Sequence, residues 1–520
     1  MLVSAVIVKL IGALFKIPLS ADYALGDLGF GYFSAVYDLY IPIYTLAFSG
    51  FPVAIARMVA DFTAKNDTHN TRRIFLLSFK VLLIIGVIGA FIFCAIAVFL
   101  LFDKNDSGFR YSFAAISPAA VFCCIASVYR GYFEGKKNMI PTAVSNVIEA
   151  LAKLILGLTG AIVTMKLTDN PALASAAALI GIAIGTWGSA IYLKHCFKKY
   201  GNMPTPFSKD EKKFDKSLFA PFMALLIPVA ISSLSVGVTA FIDSLTLKGC
   251  LEGIIAENGA NARLLLKDTI YQNIDDSQIP TLLYGIKGKA HTLFNLVPTL
   301  TTALGIGAVP LIAECFAKGD VSSLKKNSDF CMKLSSCISF PVAAGFMAIG
   351  PQIMELLYGD KSAVLGGKLL ALYGVAVIFA GISVPTTAIL QAVGHQKTAL
   401  VNILFGVVFK LFCSLTLASV PKINVYAAAI GTGGCFVIIF GFNMISLIKK
   451  SGLFPDMKIC FLRPFIAALF CGISAFGVTN LANGKTATVL AIFVAAVIYI
   501  ICLFCFKVIT KDDIRDLVKI

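Results

Sequence analysis

The run MLVSAVIVKLIGALFKIPL at residues 1–19 is long enough to cross a lipid bilayer, and it carries two lysines, Lys9 and Lys16. It lacks the basic start and the cleavage site of a signal peptide, so we interpret it as a membrane span. An ammonium group in hydrocarbon costs several kcal/mol, so such residues usually face a cavity or a partner. The two lysines are separated by about two helical turns, which places them on one face.

The whole chain has the composition of a polytopic membrane protein. Its 520 residues are 58% hydrophobic and 14% charged, and the mean hydropathy is +0.87, whereas soluble domains are nearer half apolar and a quarter charged. The net charge of +16 is explained by cytoplasmic loops, which collect Lys and Arg. We therefore expect no nucleic-acid partner. The cysteines and histidines show no metal-ligand spacing, and we expect no cofactor or metal.

Polar and Gly/Pro-rich segments divide the chain into fourteen predicted spans of about 20 apolar residues. The predicted spans are 2–19, 32–58, 74–101, 111–130, 141–165, 172–194, 218–243, 288–314, 331–357, 364–392, 398–419, 423–448, 460–482 and 486–508. The 44 lysines and arginines concentrate in alternate loops, which predicts that both termini are cytoplasmic. The fold class is therefore an all-α integral membrane protein.

The two halves of the chain resemble each other at an offset near 257 residues. Asn146 and Lys153 are echoed by Asn402 and Lys410. Parallel repeats of this kind predict two pseudo-symmetric lobes of six helices, with a substrate near the midplane between them. The predicted organisation is an N-lobe at 1–194, a basic linker at 195–217, a C-lobe at 218–448, and two further helices with a cytoplasmic tail at 449–520.

Lysines inside long apolar stretches are interpreted as cations that line a cavity for an anionic cargo. They are Lys9, Lys16, Lys153 and Lys410. Lys153 follows Glu149 at the i,i+4 spacing that favours an ion pair, so a self-neutralised structural pair is the alternative. Lys16 could instead extend to the outer headgroups, and Lys9 could pair with a buried acid. Gly406 stands four residues before Lys410, so the second half has no equivalent of Glu149.

The carboxylates that we interpret as intramembrane are predicted to bind a coupling H⁺ or Na⁺ or to act as counter-ions of the lysines. They are Asp38, Glu149 and Asp243. Four prolines are predicted to kink two repeat-related helices, either for packing or as bend points for a rocking motion. They are Pro42, Pro52, Pro298 and Pro310.

Enzymatic motifs are not evident in the chain. No P-loop, HExxH or GxSxG sequence occurs where it could function. Asp275 and Asp276 lie in the longest predicted outer stretch, 244–290, and we interpret them as a solvated loop. We therefore predict that the protein is not an enzyme. A membrane glycosyltransferase or ligase and an envelope-assembly scaffold are the alternatives from other classes.

The segment RGYFEGKKNMIPTAVSNVIE at residues 130–149 is very similar to a motif of polysaccharide exporters of the stage V sporulation protein B type. Arg130 and Glu134 lie in this segment. The segments at 26–32, 50–57, 241–243 and 283–298 also resemble this family. These exporters belong to the multidrug/oligosaccharidyl-lipid/polysaccharide (MOP) superfamily.

This resemblance implies fourteen helices in two six-helix lobes plus two C-terminal helices. It also implies that an undecaprenyl-linked glycan precursor is flipped by alternating access. Lys9 and Lys16 fall at or near two basic positions on the first helix of the lipid II flippases of this superfamily, and Lys153 stands where the exporters carry arginine. The implied partners are membrane lipids, the lipid-linked glycan and envelope-biosynthesis proteins, and the implied location is the cell membrane. A cation-coupled multidrug extruder is the alternative within the superfamily.

Overall fold

The computed structural model describes residues 2–101, 108–201, 216–234, 237–271, 273–359, 361–482 and 484–508. These residues form α-helices joined by short turns, and the chain divides into two compact units, 1–245 and 246–520. Most of the predicted linker at 195–217 lies outside the described residues, as does the side chain of Lys9. The predicted lobe boundaries therefore stay predictions.

In the part of the first unit that the structure describes, there are nine α-helices and the beginning of a tenth. They are α1 (Leu2–Leu19), α2 (Gly26–Thr45), α3 (Phe51–Ala64), α4 (Thr68–Phe99), α5 (Phe109–Gly135), α6 (Ile140–Ala152), α7 (Leu158–Thr168), α8 (Pro171–Tyr200), α9 (Lys216–Leu234) and α10 (Val238–Arg263). A π-helical turn, Leu46–Gly50, joins α2 to α3, and a second, Lys153–Gly157, joins α6 to α7. π-helical turns occur often at functional sites.

Helix α5 lies at the centre of the first unit, where it packs against α3, α4 and α8. Gly131 and Gly135 on α5 face α3, and a Cβ at Gly131 would lie 2.6 Å from the Cβ of Ile55. Small residues four apart allow two membrane helices to approach closely. This contact holds the neighbouring Arg130 inside the unit, where it is buried.

The second unit contains the rest of α10 and eight further helices. They are α11 (Ile279–Phe294), α12 (Leu296–Ala317), α13 (Val321–Tyr358), α14 (Ala363–Ala392), α15 (Gln396–Leu417), α16 (Tyr426–Ser451), α17 (Arg463–Leu481) and α18 (Lys485–Cys505). Helix α14 is central and packs against α12, α13 and α16. Helices α5 and α14 end 257 residues apart, which agrees with the offset of the predicted repeat.

The predicted all-α membrane fold is confirmed. Within the described residues, eleven helices are long and apolar enough to cross a membrane. The predicted first, seventh and eighth spans fall on α1, α9 with α10, and α12, which contain side chains that are not described. The total of fourteen spans therefore stays a prediction.

The long outer stretch predicted at 244–290 is different in the structure, because much of it is helical. Helix α10 continues to Arg263, and α11 begins at Ile279. All residues of α11 are buried. Asp276 accepts a hydrogen bond from Arg263 at 2.6 Å, while Asp275 is exposed. The predicted eighth span, 288–314, joined the end of α11 to α12 and missed residues 279–287 of α11, because polar residues interrupt the apolar run.

The four predicted kink prolines occupy different helical positions. Pro42 lies inside α2 shortly before the π-helical turn, and Pro52 is in the first turn of α3. Pro298 is in the first turn of α12, where proline is tolerated. Pro310 is inside α12, and its side chain lies outside the described residues. Whether these positions bend during function stays a prediction.

Helix α4 begins with a capping aspartate outside the membrane-spanning segment. Asp67 accepts a hydrogen bond from the backbone N–H of Asn70 at 2.9 Å, and this bond lowers the pKa of the carboxyl. Because the pKa is lowered, the cap stabilises the helix fully at pH values above the ordinary aspartate pKa of about 4. This stabilisation is lost as the pH falls through the folded-state pKa.

We expect Asp67→Ala to speed amide hydrogen exchange at Asn70 at neutral pH, because the acceptor is lost. In Asp67→Asn the exchange should stay protected, and the protection should no longer depend on pH in the acidic range after correction for intrinsic exchange. Equal exchange in the wild type and the alanine variant would contradict the capping role.

Candidate functional site

A buried ion network lies inside the first unit and joins α5, α6 and the π-helical turn after α6. Arg130 Nη2 donates to Glu149 Oε2 at 2.9 Å, and Lys153 Nζ lies 2.9 Å from Glu149 Oε1. Arg130 also donates to the hydroxyls of Ser189, at 2.9 Å, and Ser145, at 3.3 Å. One carboxylate is therefore shared by two cations. We call Arg130, Glu149 and Lys153 the ion network.

The ion network has a net positive charge and one partly open end. The side chains of Arg130 and Glu149 are 2% and 3% exposed, whereas that of Lys153 is 14% exposed. Removing charges from water is costly, and the cost is offset only by close opposite charges and hydrogen bonds. Glu149 is held by both cations, so the excess charge lies toward Lys153. An anion that approached the network would meet Lys153 first.

Glycines on α8 allow the ion network to form. A Cβ at Gly185 would lie 3.0 Å from the carbonyl oxygen of Glu149, and a Cβ at Gly181 would overlap the backbone of Gly157. Gly157 ends the π-helical turn that begins at Lys153. The backbone of α8 can therefore approach this turn closely, which brings Ser189 within reach of Arg130.

An aromatic ladder runs along one face of α2 and into the π-helical turn that follows. Its rings belong to Phe33, Tyr37, Tyr40, Tyr44 and Phe48, and successive ring centroids are 5.4–6.2 Å apart. The spacing of three or four residues places these side chains on one helical face. The aromatic ladder gives this part of the unit a continuous row of rings.

Three cations lie over rings of the aromatic ladder. The pairs are Lys16 over Tyr37 at 4.6 Å, Lys153 over Tyr44 at 4.4 Å and Arg130 over Phe48 at 5.4 Å. A cation within about 6 Å of a ring centroid is attracted by the negative face of the ring, by roughly 0.5–2 kcal/mol depending on burial. The ladder thus holds positive charge along α2. Lys9 is on α1 with Lys16, and its side chain lies outside the described residues.

The second unit has a neutral network at the repeat-related positions. The residues 257 positions after Arg130, Ser145, Glu149, Lys153 and Ser189 are Thr387, Asn402, Gly406, Lys410 and Ser446. Asn402 donates to Ser446 at 3.3 Å and to Asn443 at 2.9 Å. Asn443 donates to Thr387 at 2.8 Å. Amides and hydroxyls thus take the place of the arginine and the carboxylate.

Lys410 is completely buried, unlike its counterpart Lys153. Its Nζ donates to the carbonyl oxygen of Ala428 at 2.8 Å and to Thr432 Oγ1 at 3.1 Å. Both acceptors are uncharged. Gly406 has no room for a carboxylate, because a Cβ there would lie 2.6 Å from Ile439 Cγ1. The position equivalent to Glu149 therefore holds no carboxylate, and the two hydrogen bonds of Lys410 to Ala428 and Thr432 differ from the contact of Lys153 with Glu149.

Helix α11 contains two further buried lysines and a histidine. Lys287 lies over the ring of Tyr284 at 4.5 Å, and Lys289 lies over the ring of Tyr358 at 5.4 Å. His291 Nδ1 is 3.2 Å from the Asn295 side-chain nitrogen. The pattern KGKAH at residues 287–291 identifies this cationic segment in the sequence. The pattern does not indicate that the side chains are buried.

The other predicted site residues are dispersed within the first unit. Asp38 is buried on α2, and Asp243 is buried on α10. Ser244, next to Asp243, donates to the carbonyl oxygen of Ala35 at 2.8 Å, which ties α10 to α2. Glu134 is half-buried one residue before the end of α5. The ion-coupling role of the acids stays a prediction.

Sequence reasoning placed Arg130 only in a motif and missed its ion pair. Arg130 and Glu149 are 19 residues apart, so no helical spacing connects them. Ser189 carried no signal at all. The aromatic ladder was readable in principle, because aromatic residues recur along α2 at the helical period.

Comparisons with known proteins define the class. A family model described as polysaccharide biosynthesis protein matches residues 1–261, and one described as lipid II flippase MurJ matches residues 296–500. Since the first match covers half of the chain, the protein belongs to the polysaccharide biosynthesis protein family. The resemblance read from residues 130–149 is thereby confirmed.

Individual relatives agree with this assignment. Stage V sporulation protein B of Bacillus subtilis (strain 168) is 26% identical over 507 residues, covering 94% of this chain and 91% of that relative. Lipid II flippase MurJ of the same organism is 25% identical over 454 residues, covering 84% of this chain and 79% of that relative.

Solved structures show the same fold. A lipid II flippase MurJ in an inward closed conformation has a TM-score of 0.68 at 12% identity and covers 99% of each chain. An inward-facing multidrug resistance MATE family transporter of the MOP superfamily has a TM-score of 0.59 at 14% identity, with 91% of this chain and 100% of that chain covered. The chain therefore has the fold of the MOP superfamily.

Proposed function

We propose that this protein is a flippase that moves an anionic lipid-linked glycan precursor across the cell membrane by alternating access. The observation that carries the proposal is the ion network, in which two cations share one carboxylate beside the aromatic ladder. A lipid-linked glycan carries its negative charge on phosphate or pyrophosphate. Cations held at membrane depth lower the cost of taking such a headgroup through the hydrocarbon.

In this proposal Lys153 and Lys16 contact the phosphate groups. Both are less buried than Arg130, and each is held over a tyrosine ring of the aromatic ladder. Lysine is a compact, flexible cation that binds phosphate as a point charge. Lys9, on the same helix as Lys16, extends this row of cations. The tyrosine rings offer a surface on which sugar or lipid groups can pack.

Lys410 contributes positive charge to the second half of the transport path. Its buried amine donates to neutral acceptors at Ala428 and Thr432, and in a low-dielectric interior a charge acts over a longer distance than in water. Direct contact with the cargo would require a conformation in which these two bonds open.

The driving force is an ion gradient or the membrane potential. Moving one charge through 100 mV is worth about 2.3 kcal/mol, enough to bias a transition between two conformations. Asp38 and Asp243 are the proposed sites for a coupling H⁺ or Na⁺, and Glu149 is proposed mainly as the counter-ion of Arg130 and Lys153. The protein would be a multi-pass transporter with both termini in the cytoplasm, and not an enzyme.

The alternative is a cation-coupled multidrug extruder, favoured by the fold shared with the MATE family transporter. An extruder of cationic drugs would present carboxylates to its cargo. Here the carboxylate of Glu149 is occupied by two cations, and the partly exposed member of the ion network is Lys153. The sign of the available charge therefore favours an anionic cargo.

We expect Lys153→Gln and Lys16→Gln each to slow translocation of a lipid-linked glycan precursor in reconstituted vesicles about tenfold or more. The reason is that a hydrogen bond to a charged group contributes roughly 1.5–3 kcal/mol. Lys166→Gln, at the exposed end of α7, is the matched control and should retain wild-type translocation. Full translocation by both site variants would refute the proposed role. If the wild type moved a cationic dye faster than the lipid-linked precursor, the extruder would be favoured.

A further inference from the structure

A groove of about 580 Å³ opens on the second unit, and two lysines line it together with apolar side chains. Lys368 is in the second turn of α14, and Lys422 is in the turn between α15 and α16. Both lysines are exposed. The apolar wall includes Met347, Leu372 and Ile430. None of these side chains belongs to the site described above.

The position of the groove fits the boundary between hydrocarbon and water. Successive spans cross a membrane in opposite directions, so the start of α14, the end of α15 and the start of α16 lie at the same membrane face. The predicted topology makes this the outer face. On the cytoplasmic side of membranes, basic pockets between helices bind anionic lipid headgroups. The same charge attraction acts on an anionic phospholipid of the outer leaflet, and an apolar wall beside the lysines suits an acyl chain. Tyr426 also lines the groove, and tyrosine is favoured at membrane interfaces.

The first unit has an equivalent groove without the lysine pair. This groove, of about 780 Å³, is lined by Tyr111, Ala114, Ala115 and Leu173 among others. The residues 257 positions later are Lys368, Ala371, Leu372 and Ile430, and all four line the groove of the second unit. None of the described side chains that line the first groove is charged. Arg110 lies beside the first groove, over the ring of Tyr111 at 4.6 Å, but does not line it. The repeat has therefore kept the apolar trough in both units and placed a pair of lysines in the lining of one.

We propose that the groove of the second unit binds an anionic phospholipid of the surrounding bilayer. Its phosphate lies at Lys368 and Lys422, and one acyl chain lies along Met347, Leu372 and Ile430. The groove of the first unit, which no lysine lines, accepts acyl chains with a weaker preference for headgroup charge. A basic residue near the membrane surface adds about fivefold to the affinity for an anionic lipid, which corresponds to about 1 kcal/mol.

The wild-type protein is the control for lipid binding, since its fluorescence reports on the groove of the first unit. Trp187 is its single tryptophan and lines that groove. The reporter for the second groove is the double variant Trp187→Phe/Ile430→Trp. Both proteins are reconstituted in vesicles of equal amounts of phosphatidylglycerol and phosphatidylcholine. Either the anionic or the zwitterionic lipid carries brominated acyl chains, which quench tryptophan fluorescence on contact. The overall lipid composition, and so the surface charge, stays constant.

In the reporter variant we expect brominated phosphatidylglycerol to bind about fivefold or more tightly than brominated phosphatidylcholine. In the wild type, which reports on the first groove, the difference in quenching between the two lipids should be clearly smaller. Adding Lys368→Gln and Lys422→Gln to the reporter should abolish the preference while quenching by phosphatidylcholine persists, which shows that the protein is folded in the bilayer. High salt should weaken the preference.

Four results would overturn the proposal. The first is that the reporter variant shows no preference for the anionic lipid, and the second is that it keeps its preference without the lysines. The third is that neither lipid quenches the reporter, which would indicate that a second protein copy covers the groove. The fourth is that a small fraction of unbrominated polyprenyl phosphate displaces the brominated phospholipid, and the groove would then belong to the transported lipid.

Discussion

Glu149→Gln will lower the free energy of unfolding by about 3–5 kcal/mol, because it leaves two cations in the membrane interior without their shared carboxylate. Arg130 is buried, and Glu149 supplies the negative charge that its guanidinium contacts, whereas Ser189 and Ser145 supply neutral hydroxyls. Glutamine has nearly the same shape as glutamate, so the loss would report the charge and not the packing. The measurement is thermal unfolding of the purified protein in detergent or nanodiscs.

Two control variants separate the contributions within the ion network. Lys153→Met should cost much less, since Lys153 is partly exposed and Arg130 still compensates Glu149. The double variant Arg130→Met/Glu149→Gln should recover much of the loss, because replacing a buried ion pair by uncharged groups is often neutral. An unchanged unfolding temperature in Glu149→Gln would mean that the cations do not depend on the carboxylate.

Gly181→Ala will destabilise the first unit by at least about 1–3 kcal/mol, the range found when extra atoms are forced into a packed interior. Its Cβ would overlap the backbone N and Cα of Gly157, in the π-helical turn that begins at Lys153. A backbone cannot rotate away as a side chain can, so α8 and the turn must separate. We also expect weaker translocation, since Lys153 would move with the turn.

Gly188→Ala is the matched control on the same helix. A Cβ at Gly188 would meet nothing within 4 Å, and alanine favours a helix over glycine by roughly 0.5–1 kcal/mol. This variant should therefore unfold at the wild-type temperature or slightly above it. If both glycine variants behaved alike, the close approach of α8 to the π-helical turn would not contribute to stability.

Local sequence was sufficient for most of the fold. The predicted first span, 2–19, coincides with α1 (Leu2–Leu19), and the predicted tenth, 364–392, differs from α14 (Ala363–Ala392) by one residue. Hydropathy is reliable here because every backbone polar group in lipid must be satisfied within a helix. It failed for the first part of α11, residues 279–287, which was assigned to an outer loop although all of it is buried.

The candidate site was only partly predictable. The pair of Glu149 with Lys153 follows from their spacing of four residues, and the structure contains it. The pairing of Arg130 with Glu149 and Ser189 requires three helices to meet. Gly406 in the sequence already indicated that the second unit lacks the equivalent of Glu149. The sequence did not indicate the neutral amide network that replaces the charges there.

The sequence by itself determined the membrane class, the helical fold, the internal repeat and the presence of lysines within apolar spans, because all of these depend on composition and short-range spacing. Only the tertiary structure decided which charges are shared, which are enclosed and which stay accessible. Glu149 holds Arg130 and Lys153 together, while Lys410 is buried against neutral oxygens. The physical reason is that the energy of a charge in a membrane protein depends on the groups that surround it, and helices distant in the sequence supply most of them.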